Sequence, residues 1–263
     1  MPEGDTVHNL AARLRPVLEG EVLTACDIRV PRYAAVDLTG RTVESVTARG
    51  KHLLINAGNA VIHSHLKMEG EWHVYRPGER WRRPAHTARA VLAADGAQVV
   101  GFSLGTLEIL TPAEADGALA HLGPDPLGPD WDADRAAANL AAASGRPVGL
   151  ALLDQTVLAG VGNVYRNELC FLRGAHPATP VGECGDPLIW ADGAARLLRA
   201  NLGRTRRMTT GVDRNGMRAF VYDRARRPCL RCGTAIVAGS LGGAGEAERA
   251  IWWCPRCQPR ASN

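Results

Sequence analysis

Four of the seven cysteines form two C-x-x-C pairs near the C-terminal end, Cys229 with Cys232 and Cys254 with Cys257, and 21 residues separate the pairs. Two such pairs present four thiolates suited to tetrahedral Zn²⁺, and the span between them is long enough for a β-hairpin. A disulfide or redox pair is the alternative, but no thioredoxin-like βαβ pattern lies nearby. Since protein fills all four positions around the ion, the predicted zinc is structural, one per chain.

Positive charge is concentrated around this cysteine quartet. Residues 196–260 carry 14 arginines against four acidic residues, a net charge of +10, whereas the whole chain of 263 residues carries +4. A basic segment of this density is typical of a surface that binds the phosphates of nucleic acid. A solvated basic face without a partner is the alternative.

Lysine is almost absent from the chain. Lys51 and Lys67 are the two lysines among 31 basic residues, and the others are arginines. The alanine- and arginine-rich composition indicates a GC-rich genome, in which lysine codons are disfavoured. A lysine that persists suggests a need for a compact ammonium group, which can give up a proton where a guanidinium cannot.

The first 122 residues have the pattern of a β-rich domain that begins with one helix. Apolar residues at helical spacing predict an amphipathic helix over residues 5–19. Many short strands in one block then predict a two-sheet sandwich or a flattened barrel. The predicted strands lie within residues 21–30, 41–50, 51–57, 59–66, 71–75, 88–94, 97–104 and 107–110.

Beyond residue 122 the pattern becomes helical. Segment 123–131, GPDPLGPDW, contains three prolines and two glycines and is the predicted linker. Helical segments are predicted after Asp132, over PVGLALLDQTVL at 147–158, from Asn163 to Gly174, and from Pro187 with Asp186 as its N-cap. The predicted fold class is α+β, with a β-sandwich domain at 1–122, a helical domain at 132–218 and a zinc finger at 219–263.

Composition excludes several classes of protein. No stretch approaches the ~20 apolar residues that span a bilayer, and no basic segment leads into an apolar core as in a secretory signal. The 46% hydrophobic and 22% charged contents are those of an ordinary folded protein. We therefore expect a cytoplasmic protein that does not bind membranes.

Four separated motifs, taken in order, resemble the formamidopyrimidine-DNA glycosylase / endonuclease VIII family of base-excision repair. They are MPEG at the start, RGKHLL at 49–54, LLDQTVLAGVGNVYRNEL at 152–169, and FVYDRARRPCLRCG with ERAIWWCPRCQ between 220 and 258. The resemblance implies a β-sandwich, a helix–two-turn–helix domain and a zinc finger, with damaged DNA as the partner. It also implies a monomeric bacterial enzyme associated with the nucleoid.

The resemblance gives the chemistry at the N-terminus to Pro2 and Glu3. Removal of Met1 leaves Pro2 as a secondary amine that attacks C1′ of the damaged nucleotide, and the resulting Schiff base permits β- and then δ-elimination. Glu3 is the implied general acid/base, which protonates the deoxyribose ring oxygen. By themselves these residues are also consistent with a terminus of no significance and with a carboxylate favoured by the dipole of the following helix.

The resemblance also implies roles on DNA for five further residues. Lys51 matches a hairpin lysine that contacts phosphate and assists β-elimination, and Arg249 matches a finger-tip arginine that aids the second elimination. Their alternatives are a surface turn lysine and an unpaired surface arginine. Asn163 and Arg166 are predicted to hold phosphate at a helix N-terminus, where Asn163 is also a candidate N-cap. Met68 matches the apolar wedge that replaces a flipped-out base, and hairpin packing is its alternative.

The chain departs from the family pattern at three places. Thr6 stands where many relatives have glutamate, an RRFG-like second wedge is missing from VVGFSLGTLEIL at 99–110, and Gly149 stands where the 8-oxoguanine branch has a lysine. These differences favour the endonuclease VIII branch and oxidised pyrimidines, whereas Met68 slightly favours the other branch.

The predicted function is a bifunctional DNA glycosylase and abasic-site lyase. One alternative is a catalytically weak or non-enzymatic zinc-finger protein that binds damaged DNA, for which Pro2, Glu3 and Lys51 would be coincidental. A second is an RNA-directed or ribosome-associated factor, which accounts poorly for the β-rich half.

Overall fold

The computed structural model describes residues 2–243, 245 and 247–260, and the chain divides into two compact units after His121. Each unit contains its own cluster of buried apolar side chains. No helix in the described part of the chain is long and apolar enough to cross a membrane.

The first unit is a sandwich of two four-stranded antiparallel sheets with one helix, α1 (Gly4–Leu18), at its start. One sheet has the order β1-β6-β7-β5 and the other β2-β3-β4-β8. The strands are β1 Ala25–Ile28, β2 Val43–Arg49, β3 His52–Ala57, β4 Ala60–His65, β5 Glu71–Tyr75, β6 Ala88–Ala94, β7 Ala97–Phe102 and β8 Thr106–Leu110. All eight predicted strands and the two-sheet architecture are confirmed.

The helix α1 is held by a stripe of apolar side chains. Val7, Leu10, Leu14 and Leu18 are each at most 2% exposed and pack into the core that both sheets share. Their spacing of three and four residues puts them on one helix face, and burial of each contributes roughly 1.5–3 kcal/mol. This packing fixes the residues just before the helix, Pro2 and Glu3.

A short helix after β8 was not predicted. α2 (Pro112–Leu119) begins with a capping box, in which Thr111 Oγ1 accepts from Glu114 N (3.3 Å) and Glu114 Oε2 accepts from Thr111 N (2.8 Å). The T-P-A-E sequence, with proline at the first helical position, carries this signal. Assigning the first 122 residues mostly to strands overlooked it.

The second unit combines helices with one β-hairpin. Its elements are α3 Ala133–Ala142, α4 Val148–Ala151, α5 Asn163–Arg173, α6 Pro187–Arg199, β9 Val237–Leu241 and β10 Arg249–Trp253. The predicted caps are present, since Asp132 Oδ1 accepts from Arg135 N and Asp186 Oδ1 from Leu188 N, both at 2.9 Å. Gly174 ends α5 in the left-handed conformation, with φ of 72°.

The proline-rich segment 123–131 is packed rather than exposed over its first half. Residues 122–126 are buried, Gly123 N donates to Gln155 O (2.8 Å) and Arg199 Nε donates to Pro126 O (3.0 Å). Leu127 and Trp131 pack against the helical core. The segment is therefore part of the second unit and not a free connector.

Candidate metal centre and nucleic-acid interface

The cysteine quartet forms one cluster at the base of the β9–β10 hairpin. The four Sγ atoms lie within 4.8 Å of one another. Cys232 Sγ is 3.4 Å from that of Cys254 and 3.5 Å from that of Cys257, which lies 4.0 Å from Cys229 Sγ. Tetrahedral Zn–S bonds of about 2.3 Å place neighbouring sulfurs about 3.8 Å apart, so these residues fit a zinc ion.

The surroundings of the quartet are those of a metal centre. Backbone N–H groups of Arg231 and Cys257 donate to Cys229 Sγ (3.4 Å) and Cys254 Sγ (3.5 Å). Hydrogen bonds from Thr234 lower the pKa of Cys232 to about 6, whereas burial raises the pKa of Cys257 to about 12. Four thiolates so close together would repel one another, so all four cysteines can ionise together only around a cation that balances their charge.

Helix α5 anchors strand β10 of the hairpin through three polar side chains. Asn163 Nδ2 and Arg166 Nη2 both donate to the carbonyl of Ala250, at 3.1 and 3.0 Å. Asn167 Oδ1 accepts from Trp252 N at 2.8 Å. These bonds fix β10 against the helix and hold Arg249, which is exposed at the start of that strand, beside it.

The prediction that Arg166 reaches a DNA phosphate is corrected by its burial. Arg166 is 0% exposed, and its guanidinium donates to Asn163 Oδ1, to the carbonyl of Ala250 and, at 3.5 Å, to that of Gly149. A guanidinium enclosed by carbonyl oxygens is a structural clamp. Arg166 therefore acts by fixing the hairpin and Asn163.

Asn163 is the first residue of α5, and Gly162 is the N-cap. The alternative that Asn163 is a plain N-cap is therefore wrong. Its side chain is 5% exposed and points to the hairpin. An amide carries two hydrogens, and the bond to Ala250 uses one of them.

Glu168, which the sequence analysis did not single out, ties α5 to the segment that enters the finger. It is 0% exposed, and its carboxylate accepts from the backbone N–H groups of Phe220 (2.7 Å), Val221 (2.9 Å) and Tyr222 (2.9 Å). Thr209 Oγ1 also donates to it. One buried carboxylate thus fixes both ends of the stretch between residues 209 and 220, which contains Arg214 and Arg218.

We expect Glu168→Gln to destabilise the second unit by about 3 kcal/mol, because an amide turns an N–H₂ donor toward backbone donors and loses charge-assisted bonds. Urea unfolding in buffer with zinc, followed by circular dichroism, measures the change. Glu183→Gln, at an exposed site, is the matched control. Equal midpoints for the two variants would contradict the anchoring role.

Pro2 and Glu3 lie at the start of α1. Pro2 is half-buried, and Glu3 is 0% exposed and forms the N-cap of the helix. Thr6 Oγ1 accepts from Glu3 N at 3.4 Å, so the threonine that stands in place of a family glutamate belongs to a capping pair. Met1, whose removal the chemistry needs, lies outside the described residues.

Lys51 lies in the turn between β2 and β3, beside a cluster of histidines. His52 Nδ1 is 2.8 Å from His63 Nε2, and His63 Nδ1 is 2.9 Å from Glu108 Oε2. The ring of His65 meets that of His52 edge-on at 4.9 Å. His63 and His65 both lie on β4, and register places His63 opposite Glu108 of β8.

Two of these imidazoles are neutral at pH 7. Burial, with positive neighbours, lowers the pKa of His52 to about 3 and that of His65 to about 4. Both folded-state pKa values lie below the ordinary value of about 6.5, so protonation favours the unfolded chain. The free energy of unfolding is therefore not reduced by these two groups above pH 6.5, and it decreases as the pH falls from 6.5 toward 4.

We expect His52→Asn to flatten the loss of stability between pH 6.5 and 4, by up to about 1.4 kcal/mol per pH unit, because one site of proton uptake on unfolding is removed. Hydrogen exchange of peptides from β6, compared with the native chain at each pH, measures it. Exposed His86→Asn should retain the native slope. Parallel slopes for all three proteins would show that His52 does not titrate as described.

Met68 lies in the turn after β4 and is 64% exposed. Packing within the hairpin therefore does not account for an apolar side chain at this position. The β7–β8 connection has only three residues, Ser103, Leu104 and Gly105, and carries no long second wedge. At Gly149 a Cβ would lie 2.8 Å from the carbonyl oxygen of Pro177. Backbone thus fills the place where the 8-oxoguanine branch has a lysine.

Family models match both units. The formamidopyrimidine-DNA glycosylase N-terminal domain matches residues 1–103, and the formamidopyrimidine-DNA glycosylase H2TH domain matches residues 122–187. The crystal structure of Lactococcus lactis formamidopyrimidine-DNA glycosylase non-covalently bound to DNA with an AP site has a TM-score of 0.80 and 22% identity, over 98% of this chain and 100% of that one. At this identity the likeness shows the fold.

The chain belongs to the formamidopyrimidine-DNA glycosylase / endonuclease VIII family. It is 54% identical to the probable endonuclease 8 2 of Streptomyces coelicolor, over 98% of this chain and 94% of the relative. It is 53% identical to the DNA-(apurinic or apyrimidinic site) lyase Nei2 of Mycolicibacterium smegmatis, over 98% and 99%. The formamidopyrimidine-DNA glycosylase of Streptococcus pneumoniae is 33% identical, over 99% of this chain and 100% of that relative. The higher identities place the chain in the endonuclease VIII branch.

Proposed function

We propose that the chain is a bifunctional DNA glycosylase and abasic-site lyase of base-excision repair that prefers oxidised pyrimidines. The observation that carries the proposal is the fully buried carboxylate of Glu3, held next to Pro2 at the start of α1, in a chain 53% identical to a relative named an abasic-site lyase. Gly149 and the short β7–β8 connection support the pyrimidine branch.

The first stage of the reaction uses Pro2 and Glu3. The nitrogen of Pro2, freed by loss of Met1, forms a bond to C1′ as the glycosidic bond breaks, and the base leaves with that electron pair and takes up the proton that the amine loses. Glu3 donates a proton to the ring oxygen O4′, and the sugar opens to a cationic iminium. Burial keeps water from competing with the ring oxygen for this carboxyl group.

The second stage cleaves the strand. The iminium acidifies C2′, and loss of its proton expels the 3′-phosphate. A further elimination releases the 5′-phosphate, and water then returns the amine. Lys51 contacts phosphate and assists the first elimination, and Arg249 stabilises phosphate in the second. Neither step needs an oxidant or a reductant.

The remaining residues bind the substrate. Asn163 contacts backbone phosphate with its second amide hydrogen, positioned by Arg166. Exposed Met68 fills the space of the everted nucleotide. One Zn²⁺ bound by Cys229, Cys232, Cys254 and Cys257 neutralises the thiolates and orders the hairpin that carries Arg249. The enzyme acts as a monomer on the nucleoid, in the bacterial cytoplasm.

Incision of a lesion panel tests the proposal. Matched duplexes carry an oxidised pyrimidine, 8-oxoguanine, an abasic site or no lesion, and the products are separated by 3′-end chemistry. We expect the oxidised pyrimidine and the abasic site to be incised with a 3′-phosphate end, and 8-oxoguanine at least tenfold more slowly. Tight binding without incision of any duplex would instead support the non-enzymatic alternative.

A further inference from the structure

Lys67 is held in a backbone conformation that lysine rarely adopts. It lies in the turn after β4 with φ of 54°, in the left-handed region that favours glycine and asparagine. Such strain persists where surrounding contacts enforce it, and it is concentrated at functional sites. This residue is also one of only two lysines among 31 basic residues.

Two contacts enforce the strained turn. Lys67 N donates to His65 Nδ1 at 2.9 Å. The stem of the side chain lies flat on Gly105, where an added Cβ would stand 2.2 Å from Lys67 Cγ and 2.6 Å from its Cβ. The direction of the exposed side chain is therefore fixed by the β7–β8 connection.

The same contacts bring positive groups together. The charges of Lys67 and Lys51 both act on His65 and, after burial, lower the pKa of its imidazole. Since His65 is neutral and its Nδ1 accepts from Lys67 N, its proton is on Nε2. Both lysines thus lie within electrostatic range of the His65 ring, and a bound anion at this turn would reduce the repulsion between like charges.

We propose that Lys67 is a phosphate-binding residue that acts with Lys51 and His65 on one backbone phosphate of the damaged DNA strand. The inference rests on the proposed function, because it takes DNA as the ligand. The strained turn serves to place this ammonium and to present the next residue, Met68. Lys67 thereby binds the damaged strand and orients it.

Salt-dependent binding tests the proposal. The probe is a duplex with a reduced, uncleavable abasic-site analogue. For Lys67→Gln we expect about fivefold weaker binding and a slope of log K against log salt smaller by about 0.9, the value for one lost phosphate contact. Lys67→Arg should restore the slope, and Arg13→Gln, which removes an exposed charge from α1, should leave it unchanged.

Two further variants separate charge from folding. Gly105→Ala keeps the lysine but displaces its stem, and we expect the same weakened binding. Lys67→Gly relieves the strained backbone, so its melting temperature should not fall and should rise by up to roughly 3 °C, although binding weakens as in Lys67→Gln. A merely structural lysine would not give equal or greater stability together with weaker binding.

Borohydride trapping on abasic-site DNA at saturating protein distinguishes the two proposals. If the native chain gives no covalent adduct, the proposed function fails. If the native chain and Lys67→Gln both give the adduct, but their affinities and salt slopes are equal, the role of Lys67 is refuted and the enzyme stands. Binding by Lys67→Arg as weak as that of Lys67→Gln also refutes it.

Discussion

Glu3→Gln is expected to lower excision of an oxidised pyrimidine by about 10²–10⁴-fold, the usual contribution of a general acid. The ring oxygen must gain a proton for the sugar to open, and an amide cannot supply it. An abasic site already exists in part as an open-chain aldehyde, so its cleavage does not need that proton. We expect lyase activity on preformed abasic sites to remain within about tenfold of the native rate.

Single-turnover rates on the two duplexes measure this difference. Glu3 is also the N-cap of α1, so two controls are needed. One is the melting temperature of Glu3→Gln, and the other is the activity of Glu3→Asp, which keeps a carboxyl group. Equal loss of excision and lyase activity in a folded variant would show that Glu3 only supports the helix.

Cys232→Ser is expected to weaken binding to abasic-site DNA at least 100-fold, because loss of one thiolate destabilises the metal that orders the hairpin. The serine variant should also bind less than one zinc per chain, whereas the first unit keeps its melting transition. Cys26→Ser is the matched control, since Cys26 is a half-buried cysteine of β1 outside the quartet.

Elemental analysis together with fluorescence anisotropy measures both quantities. Removal of zinc by a chelator should reproduce the serine variant, with DNA binding lost before the first unit unfolds. Full affinity in a metal-free protein would contradict the role of the finger.

Local signals predicted much of the fold. The eight strands follow from short β-rich runs, and the caps at Asp132 and Asp186 follow from residues within one helical turn. The structure contains all eight strands and both caps. Capping at Thr111 was equally local but was overlooked. The proline-rich segment 123–131 has the composition of a loop, and only its contacts with residues such as Arg199 show that it is packed.

Tertiary pairing could not be inferred in the same way. Arg166 occupies the first turn of α5, where exposure to phosphate is reasonable, but its partner Ala250 comes 84 residues later in the sequence. The histidine cluster likewise depends on register, because β4 places His63 opposite Glu108 of β8. Glu168 is a third example, because its buried carboxylate accepts from backbone N–H groups of residues 220–222, more than 50 residues later in the sequence.

The most direct test of the account is to locate the reduced adduct on the protein. After borohydride treatment with abasic-site DNA, nuclease and protease digestion leave a sugar remnant that mass spectrometry assigns to one nitrogen. We expect the remnant on the N-terminal nitrogen of Pro2, and no remnant when a peptide tag extends the N-terminus. A remnant on Lys51 or Lys67 in the untagged protein, or a chain that retains Met1 and still cleaves, would contradict it.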